Sequence, residues 1–420
     1  MAGTNSLLTP SIIAKEALML LKNQLVFGGK VHRKYKEEFV KVGGSITIRK
    51  PVKFKVTKGR TRVTSRVTEK SIPLTVATQA HVSWDFTTVD LTLTIENYNE
   101  RYLNNAVAAI ANTIDADLAA LYKDVYNTVW ESTGYVDPHS FIVLGKAAQK
   151  LDEESVPADN RCLVLNPSAH WSMANALRTV YVQDIAKPAL RKGYLATIAG
   201  MEIFMDQNVQ SHTAGNWGTG SGTDGTGVEV ATGVASAGET GTTAIALCDF
   251  DITTTNVLNV GDVFTVAGVY AVNNMSGNST GQLRQFVVTT AASAGSTGTT
   301  TESAITVHID PPMIDTGPYK TIDTMPVGGA AVDIVGQIIK QTPENLAFHK
   351  NAFALVVIPL EIPDGASFAA RATDKDTGLS IRILKWYDGD NDVESIRLDV
   401  LYGVKTLYPE LACRLLGAQV

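Results

Sequence analysis

Between Leu103 and Val129 apolar residues recur every three or four positions: Leu103, Val107, Ile110, Ile114, Leu118, Leu121, Val125 and Val129. At ~3.6 residues per turn, this stripe predicts one amphipathic helix of about eight turns, longer than most globular helices. A strand should precede it, because Leu91, Leu93 and Ile95 alternate with Thr92 and Thr94. Nearer the amino terminus, Thr9-Pro10-Ser11 opens a second helix, with Thr9 able to cap it and Pro10 placed where its missing donor costs nothing. Its stripe is Ile13, Ala17, Leu21 and Leu25, and Gly28-Gly29 is expected to stop it. Periodicity leaves open whether that stripe packs within its own domain or on a neighbour.

From residue 43 to 88 the period changes to two. Ile46 and Ile48, then Val52, Phe54 and Val56, alternate with Thr47, Lys53 and Lys55; Lys58-Gly59 reads as a turn, and Ile72, Leu74 and Val76 as the return strand. A further set, Val82, Trp84 and Phe86, leads on towards the long helix. Charge sharpens this picture. Between Lys30 and Lys70 there are fourteen Lys or Arg against three Glu, a net +11 in a chain whose total is −6. A two-stranded ribbon is marginal alone, so it needs a surface to lie on. Three readings compete: it crosses an acidic neighbouring copy, where charge complementarity fixes register; it neutralises phosphates; or it is a solvated edge that avoids aggregation. Aromatics do not interleave with the cations as on a stacking platform, and the chain as a whole is acidic. Both facts count against the second reading.

Composition shifts near Val209 and shifts back near Val335. Residues 209–333 hold only two basic residues, Arg284 and Lys320, against eleven Asp or Glu, and more than half of all glycines. This predicts an inserted β-rich domain with a flexible entry at Gly215 to Gly222. Its clearest strands are Val257 to Gly268, Gln285 to Thr290 and Ala304 to Ile309, arranged as a small barrel or sandwich. After it, Phe353 to Ile362 reads as a buried strand ended by Pro363, and Ser380 to Tyr387 with Ser395 to Tyr402 as a hairpin across Asp388 to Asp392. Before it, Asn166-Pro167-Ser168 opens a helix containing Trp171, Ala174 and Leu177, and Lys187-Pro188 breaks the next segment.

Signs of catalysis are weak. Gly220-Ser221-Gly222-Thr223-Asp224-Gly225 spells a dinucleotide fingerprint, but no strand precedes it, no helix follows, and the chain has no Gly-Lys-Ser/Thr element. Asp388, Asp390, Asp392 and Asp399 imitate a calcium loop, yet Val393 stands where the sharp turn needs glycine. The histidines at 32, 81, 139, 170, 212, 308 and 349 lack ligand spacing, and Cys162, Cys248 and Cys413 are too scattered for a zinc site or disulfide framework. No catalytic residue, cofactor or metal is therefore expected. The amino terminus lacks a cationic segment followed by an apolar core, which disfavours secretion through a cleaved signal, and no apolar run approaches the ~20 residues that span a bilayer.

The stretch Val89-Asp90-Leu91-Thr92-Leu93-Thr94-Ile95-Glu96, then Glu100-Arg101-Tyr102 and Asp115-Ala116-Asp117-Leu118-Ala119-Ala120-Leu121-Tyr122, resembles the spine-helix region of tailed-bacteriophage major capsid proteins. Asn345 to Leu355 is similar to the segment that leads those proteins back into their shared sheet. The resemblance implies an α+β chain with the Hong Kong 97-type fold: an N-terminal arm (1–42), an extended β-loop (43–88), a spine helix with peripheral and axial domains (89–208 and 334–420), and the insertion (209–333). Position and composition of the insertion resemble the subgroup of the short-tailed Salmonella phage coat protein.

That resemblance implies a protein of pentamers and hexamers closing an icosahedral shell around double-stranded DNA. It also implies procapsid maturation in which the arm helix shifts or clasps, a scaffolding protein and a portal as partners, and assembly in the host cytoplasm without a membrane. The inter-subunit contact residues would be Arg49, Lys50, Lys53, Lys55, Lys58, Arg60, Arg62 and Arg66. A β-rich surface adhesin or carbohydrate-binding protein is the alternative from another class; a two-carboxylate glycoside hydrolase finds no distinguished pair.

Overall fold

In a computed structural model of the chain, the structure describes residues 10–33, 45–54, 58–60, 69–87, 102–131, 137–177, 197–217, 227–250, 256–292, 304–363, 368–374 and 378–417. Five helices are labelled α1 (Pro10–Gln24), α2 (Phe27–Lys30), α3 (Asn104–Ala119), α4 (Phe141–Glu153) and α5 (Pro167–Leu177). The strands are β1 (Ser45–Arg49), β2 (Ser71–Thr75), β3 (Thr78–Thr87), β4 (Thr128–Trp130), β5 (Arg161–Leu165), β6 (Glu202–Met205), β7 (Ser211–Thr213), β8 (Glu229–Val230), β9 (Thr242–Cys248) and β10 (Val263–Val272). They continue as β11 (Ser279–Val288), β12 (Ile305–Met313), β13 (Val332–Val335), β14 (Gln341–Pro343), β15 (Asn345–His349), β16 (Phe353–Ile358), β17 (Phe368–Thr373), β18 (Ser380–Asp388), β19 (Val393–Thr406) and β20 (Ala412–Leu416). The chain divides into two compact units, one of Met1–Lys50, Ser71–Leu118 and Phe353–Leu407, the other of Pro51–Lys70, Ala119–Ala352 and Tyr408–Val420.

The first unit is organised by β19, which pairs antiparallel with β3, β16 and β18, while β17 pairs with β18. The expected hairpin across Asp388 to Asp392 is present as β18 and β19. Helix α1 packs on β17 and β18 and buries Ala14, Ala17, Leu18 and Leu21, so its stripe is used within its own unit. Gly28-Gly29 does not stop it. Both glycines lie in α2, and the break comes at Leu25-Val26, where the buried Asp115 carboxylate of α3 accepts the Val26 and Gly28 amides at 2.7 and 2.9 Å. A carboxylate at those otherwise unpaired donors restarts the helix.

The long helix is shorter than its stripe predicts. Leu103, Val107, Ile110, Ile114 and Leu118 are buried as expected, but after Ala119 the chain tightens into a 3-10 turn at Ala120–Asp124 and then extends. Val129 belongs to β4, paired parallel with β20. The β-branched and aromatic run from Val125 to Trp130 suits a buried strand as well as a helix, and pairing with a distant strand decides between them. Tyr402 of β19 donates to Asp117 of α3, fixing the helix to the sheet.

In β1 and β2 the predicted alternation holds: Ile46, Ile48 and Leu74 are buried, with Ile46 opposite Leu74 and Ile48 opposite Ile72. The strand ends at Arg49 and does not reach Val52 or Phe54, because Pro51 has no amide to continue a ladder. Where β2 passes β19, a side chain at Gly403 would run into the Thr75 carbonyl and the Val76 backbone. Backbone leaves no flexible atom to yield, so Gly403→Ala is expected to lower stability by about 1–3 kcal/mol, read as a lowered urea midpoint at unchanged slope; an unchanged midpoint would refute the close approach.

The second unit contains a mixed five-stranded sheet of order β4-β20-β15-β5-β6. Helices α4 and α5 cover it, with Val143, Leu144, Leu151, Met173, Leu163 and Leu415 in one core. Helix α5 begins as predicted, with Asn166 Oδ1 accepting the Ala169 amide at 2.9 Å. Strand β16 of the first unit stops at Ile358 and not at Ile362, because Pro359, ahead of Pro363, already removes a donor.

Residues 229–335 carry a six-stranded sheet of order β13-β10-β11-β12-β9-β8. It closes on itself, because Val230 exchanges backbone hydrogen bonds with Gly329 and Ala330, and the Val228 carbonyl accepts the Val332 amide, beside β8 and the start of β13. A barrel core of Val230, Leu247, Phe264, Phe286, Val307 and Ile334 fills the interior. The predicted strand at Val257 to Gly268 begins later, at Val263, because Asn259 to Asp262 form a turn. Gly215 is no flexible entry: its amide donates to Asp262 and a Cβ there would strike the Val257 carbonyl. Gly218 to Asp224 and Lys187-Pro188 lie outside the described residues, as does the strand expected at 91–95.

Candidate assembly interface

Of the eight cations predicted to meet a neighbour, five are described: Arg49 at the end of β1, then Lys50, Lys53, Lys58 and Arg60. Arg49, Lys53, Lys58 and Arg60 are exposed and Lys50 is half-buried. Lys55, Arg62 and Arg66 lie outside the described residues. Within the second unit, Lys53 is tied to the barrel: its amide donates to the Tyr319 hydroxyl and its Nζ to Asn274 Oδ1, each at 3.3 Å. Lys70 stands 5.0 Å from the Tyr319 ring centroid, within cation–π range. Phe54, beside Lys53, is 71% exposed. Arg49, Phe54, Lys58 and Arg60 are thus exposed, while within the second unit Lys53 bonds to the barrel.

The barrel is in turn locked to the five-stranded sheet by buried polar groups. Gln285 of β11 imitates a strand partner, its amide pairing both ways with the Thr128 backbone at 2.8 Å. Beside it Arg284 meets Glu154, at the end of α4, at 2.6 Å and lies over the Tyr126 ring at 4.6 Å. The second oxygen of Glu154 accepts from Asn274 at 2.6 Å, so the residue that accepts from Lys53 also donates to this pair. At the stem formed by β7 and β14, His212 Nε2 and Asp262 Oδ1 are 2.7 Å apart and Tyr122 reaches His212 Nδ1 at 3.1 Å. The other Asp262 oxygen accepts the Gly215 and Asn259 amides. Arg414 of β20 donates to the Gly261 carbonyl at 2.7 Å, with Glu344 at 3.8 Å.

The Tyr122-His212-Asp262 chain has the outline of a proton relay, but its end is buried. Burial, with the Glu344 charge, pushes the Tyr122 hydroxyl up to about 12 despite Arg414. Burial also raises the Glu344 carboxyl, against the pull of Arg414. Buried and mutually bonded, these groups hold a junction.

A model of the P22 coat protein family (gene protein 5) matches residues 1–417. The chain belongs to that family. The coat protein is accordingly a structural, shell-forming major capsid protein, and the family supports the expected mixed α and β capsid fold of the Hong Kong 97 type. An adhesin is not favoured. Among solved structures the coat protein is similar to one from Mycobacterium phage Che8, at 13% identity over 93% of this chain and 90% of that one, with a TM-score of 0.48. It is also similar to the asymmetric unit of the bacteriophage PhiM1 mature capsid, at 10% identity over 94% and 88% with a TM-score of 0.47. No curated protein matches.

The acidic turn of the coat protein that imitates a calcium loop is a hairpin turn. Asp388 accepts from Asp390 and Asn391, and Asp392 from Tyr387, while Asp399 is buried along β19 between Arg382 and Arg397. The junction residues Tyr122, Glu154, His212, Asp262, Arg284, Glu344 and Arg414 were not predicted from sequence. The bonds Tyr122–His212, His212–Asp262, Arg284–Glu154 and Arg414–Gly261 span 50 to 153 residues, and no local spacing signals them.

Proposed function

We propose that the coat protein forms pentamers and hexamers that close an icosahedral head around double-stranded DNA, with the basic ribbon lying across an acidic face of a neighbouring subunit. What supports the ribbon's role is the exposure of Arg49, Lys53, Lys58 and Arg60 within a window of net charge +11. Opposite charges of that density steer encounter and fix register more than they add affinity. A scaffolding protein and a portal complete the proposed assembly, which takes place in the host cytoplasm, and the arm helix α1 shifts during maturation.

Lys58→Glu combined with Arg60→Glu is the direct test. Both side chains are exposed, so the circular dichroism and thermal midpoint of the monomer are expected to stay unchanged while shells are lost or misassembled. Normal shells from the double variant would contradict the interface; normal shells that fail to retain DNA would move the ribbon to phosphate binding, whose affinity falls with salt.

Residues 209–333 are proposed to be an inserted domain whose barrel has its own core. The isolated fragment is expected to give a β-type circular-dichroism spectrum and to unfold cooperatively. A disordered spectrum would contradict that.

A further inference from the structure

Residues from both sides of the ribbon turn meet the same place on the barrel. Before Gly59, the Lys53 amide donates to the Tyr319 hydroxyl and Lys53 Nζ donates to Asn274 Oδ1. After it, the Lys70 ammonium stands over the Tyr319 ring. The receiving groups are held by the barrel itself. Asn274 lies in the turn after β10, which is closed by the Asn273 amide donating to the Asn278 carbonyl and the Gly277 amide to the Asn273 carbonyl. Its side chain is fixed in turn by donating to Glu154. The loop that carries Tyr319 is closed where the Thr321 and Ile322 amides donate to the Ile314 carbonyl. A bridge between Ala271 and Ile322, with the Asp323 amide on the Tyr270 carbonyl, pins that loop to the end of β10. Tyr319 and Asn274 therefore sit at one end of the barrel, within a stretch of eleven acidic and two basic residues.

We infer that Tyr319 is a positioning residue for assembly: it clasps Lys53 and Lys70 to the chain's own barrel and so aims the exposed cations between them, Lys58 and Arg60, before a neighbouring subunit arrives. The inference rests on the reading of the ribbon as an assembly contact. A two-stranded ribbon is marginal without a surface to lie on, and ordering a loose one at the moment of contact weakens binding. A clasp on a rigid site makes that ordering part of the folded monomer. Charge acts in the same direction, since a window of net +11 meets an acidic barrel. Each contact is modest by itself. The two hydrogen bonds are 3.3 Å long, Lys53 is exposed, and Lys70 and Tyr319 are half-buried. One such hydrogen bond favours the closed clasp by a factor of about ten, and the cation–π pair adds about threefold. Tyr319 is the residue both contacts share, so its loss opens both.

The test is amide hydrogen exchange of the full-length monomer, wild type against Tyr319→Phe and Tyr319→Leu, with shell assembly assayed in parallel. Tyr319→Phe removes the acceptor of the Lys53 amide and keeps the ring under Lys70; Tyr319→Leu removes both. Exchange at Lys53 is expected to rise about tenfold in the Phe variant and about a further threefold in the Leu variant. Amides of β10 and β12 and the urea midpoint are expected to stay unchanged, because Tyr319 lies outside the barrel core; a general loss of barrel stability would move them together with Lys53. Shell yield should fall in the same order, least for Phe and most for Leu. The Phe variant alone carries the test if the Leu variant lowers the midpoint. Unchanged exchange at Lys53 in Tyr319→Phe would overturn the clasp, and faster exchange with wild-type shell yield would overturn its role in positioning. Faster exchange together with normal shells from the Lys58→Glu, Arg60→Glu double variant would instead remove the ribbon reading beneath the proposal.

Discussion

Glu154→Ala is expected to lower the unfolding free energy by about 3–5 kcal/mol, because it leaves the Arg284 guanidinium buried without its anion. The two side chains are only 8% and 6% exposed and their atoms lie 2.6 Å apart. Water cannot replace the lost partner, and the Tyr126 ring beneath Arg284 supplies only a fraction of a charge. Asn274 loses its 2.6 Å acceptor in the same step, so the Lys53 contact to Asn274 should loosen with it. Combining Glu154→Leu with Arg284→Met removes both charges, and most of the loss should return, since a buried ion pair is often matched by packed apolar residues. Urea titrations of the two single variants and the double would measure this coupling. A single-variant loss below about 1 kcal/mol would show that the pair is solvated and not buried.

Asp399→Asn is expected to cost about 3 kcal/mol at neutral pH, and its effect should depend on pH in a defined direction. Asp399 is fully buried in β19, with Arg382 at 2.7 Å, Arg397 at 2.6 Å and the Gln79 amide at 3.2 Å. Burial alone would raise its carboxyl, but the hydrogen bonds from Arg382 and Arg397, with that of Gln79, outweigh burial and hold it below the ordinary carboxylate range. A group with a lowered native pKa stabilises the fold above its unfolded value, about 3.9, and that stabilisation is lost as pH falls through the native value. The gap between wild type and variant should therefore be full at pH 7 and close as the solution is acidified below about 4. A gap that stays constant down to pH 2 would contradict the assignment.

The sequence makes some parts of this protein legible and hides others for physical reasons. The α3 stripe from Leu103 to Leu118 is read correctly because burial on one face imposes the helical period. The same period misleads at Val125 and Val129, where the residues suit a strand and a partner almost 300 residues away decides. Helix α4 is not legible in the sequence although Val143, Leu144, Ala147 and Leu151 are periodic; Gly145 within it weakens the local signal. The basic window from Lys30 to Lys70 is legible as charge alone, since a net +11 stands out in an acidic chain. The network locking barrel to sheet leaves no such trace. Its members are single polar residues far apart in sequence, and only folding brings Tyr122, His212 and Asp262 together.

This coat protein assembles into a shell of copies of itself. The decisive measurement is negative-stain electron microscopy of the purified protein, alone and with the proposed scaffolding protein, alongside sedimentation at two salt concentrations. Closed shells or open polyheads are expected. A monodisperse monomer under every condition would contradict it.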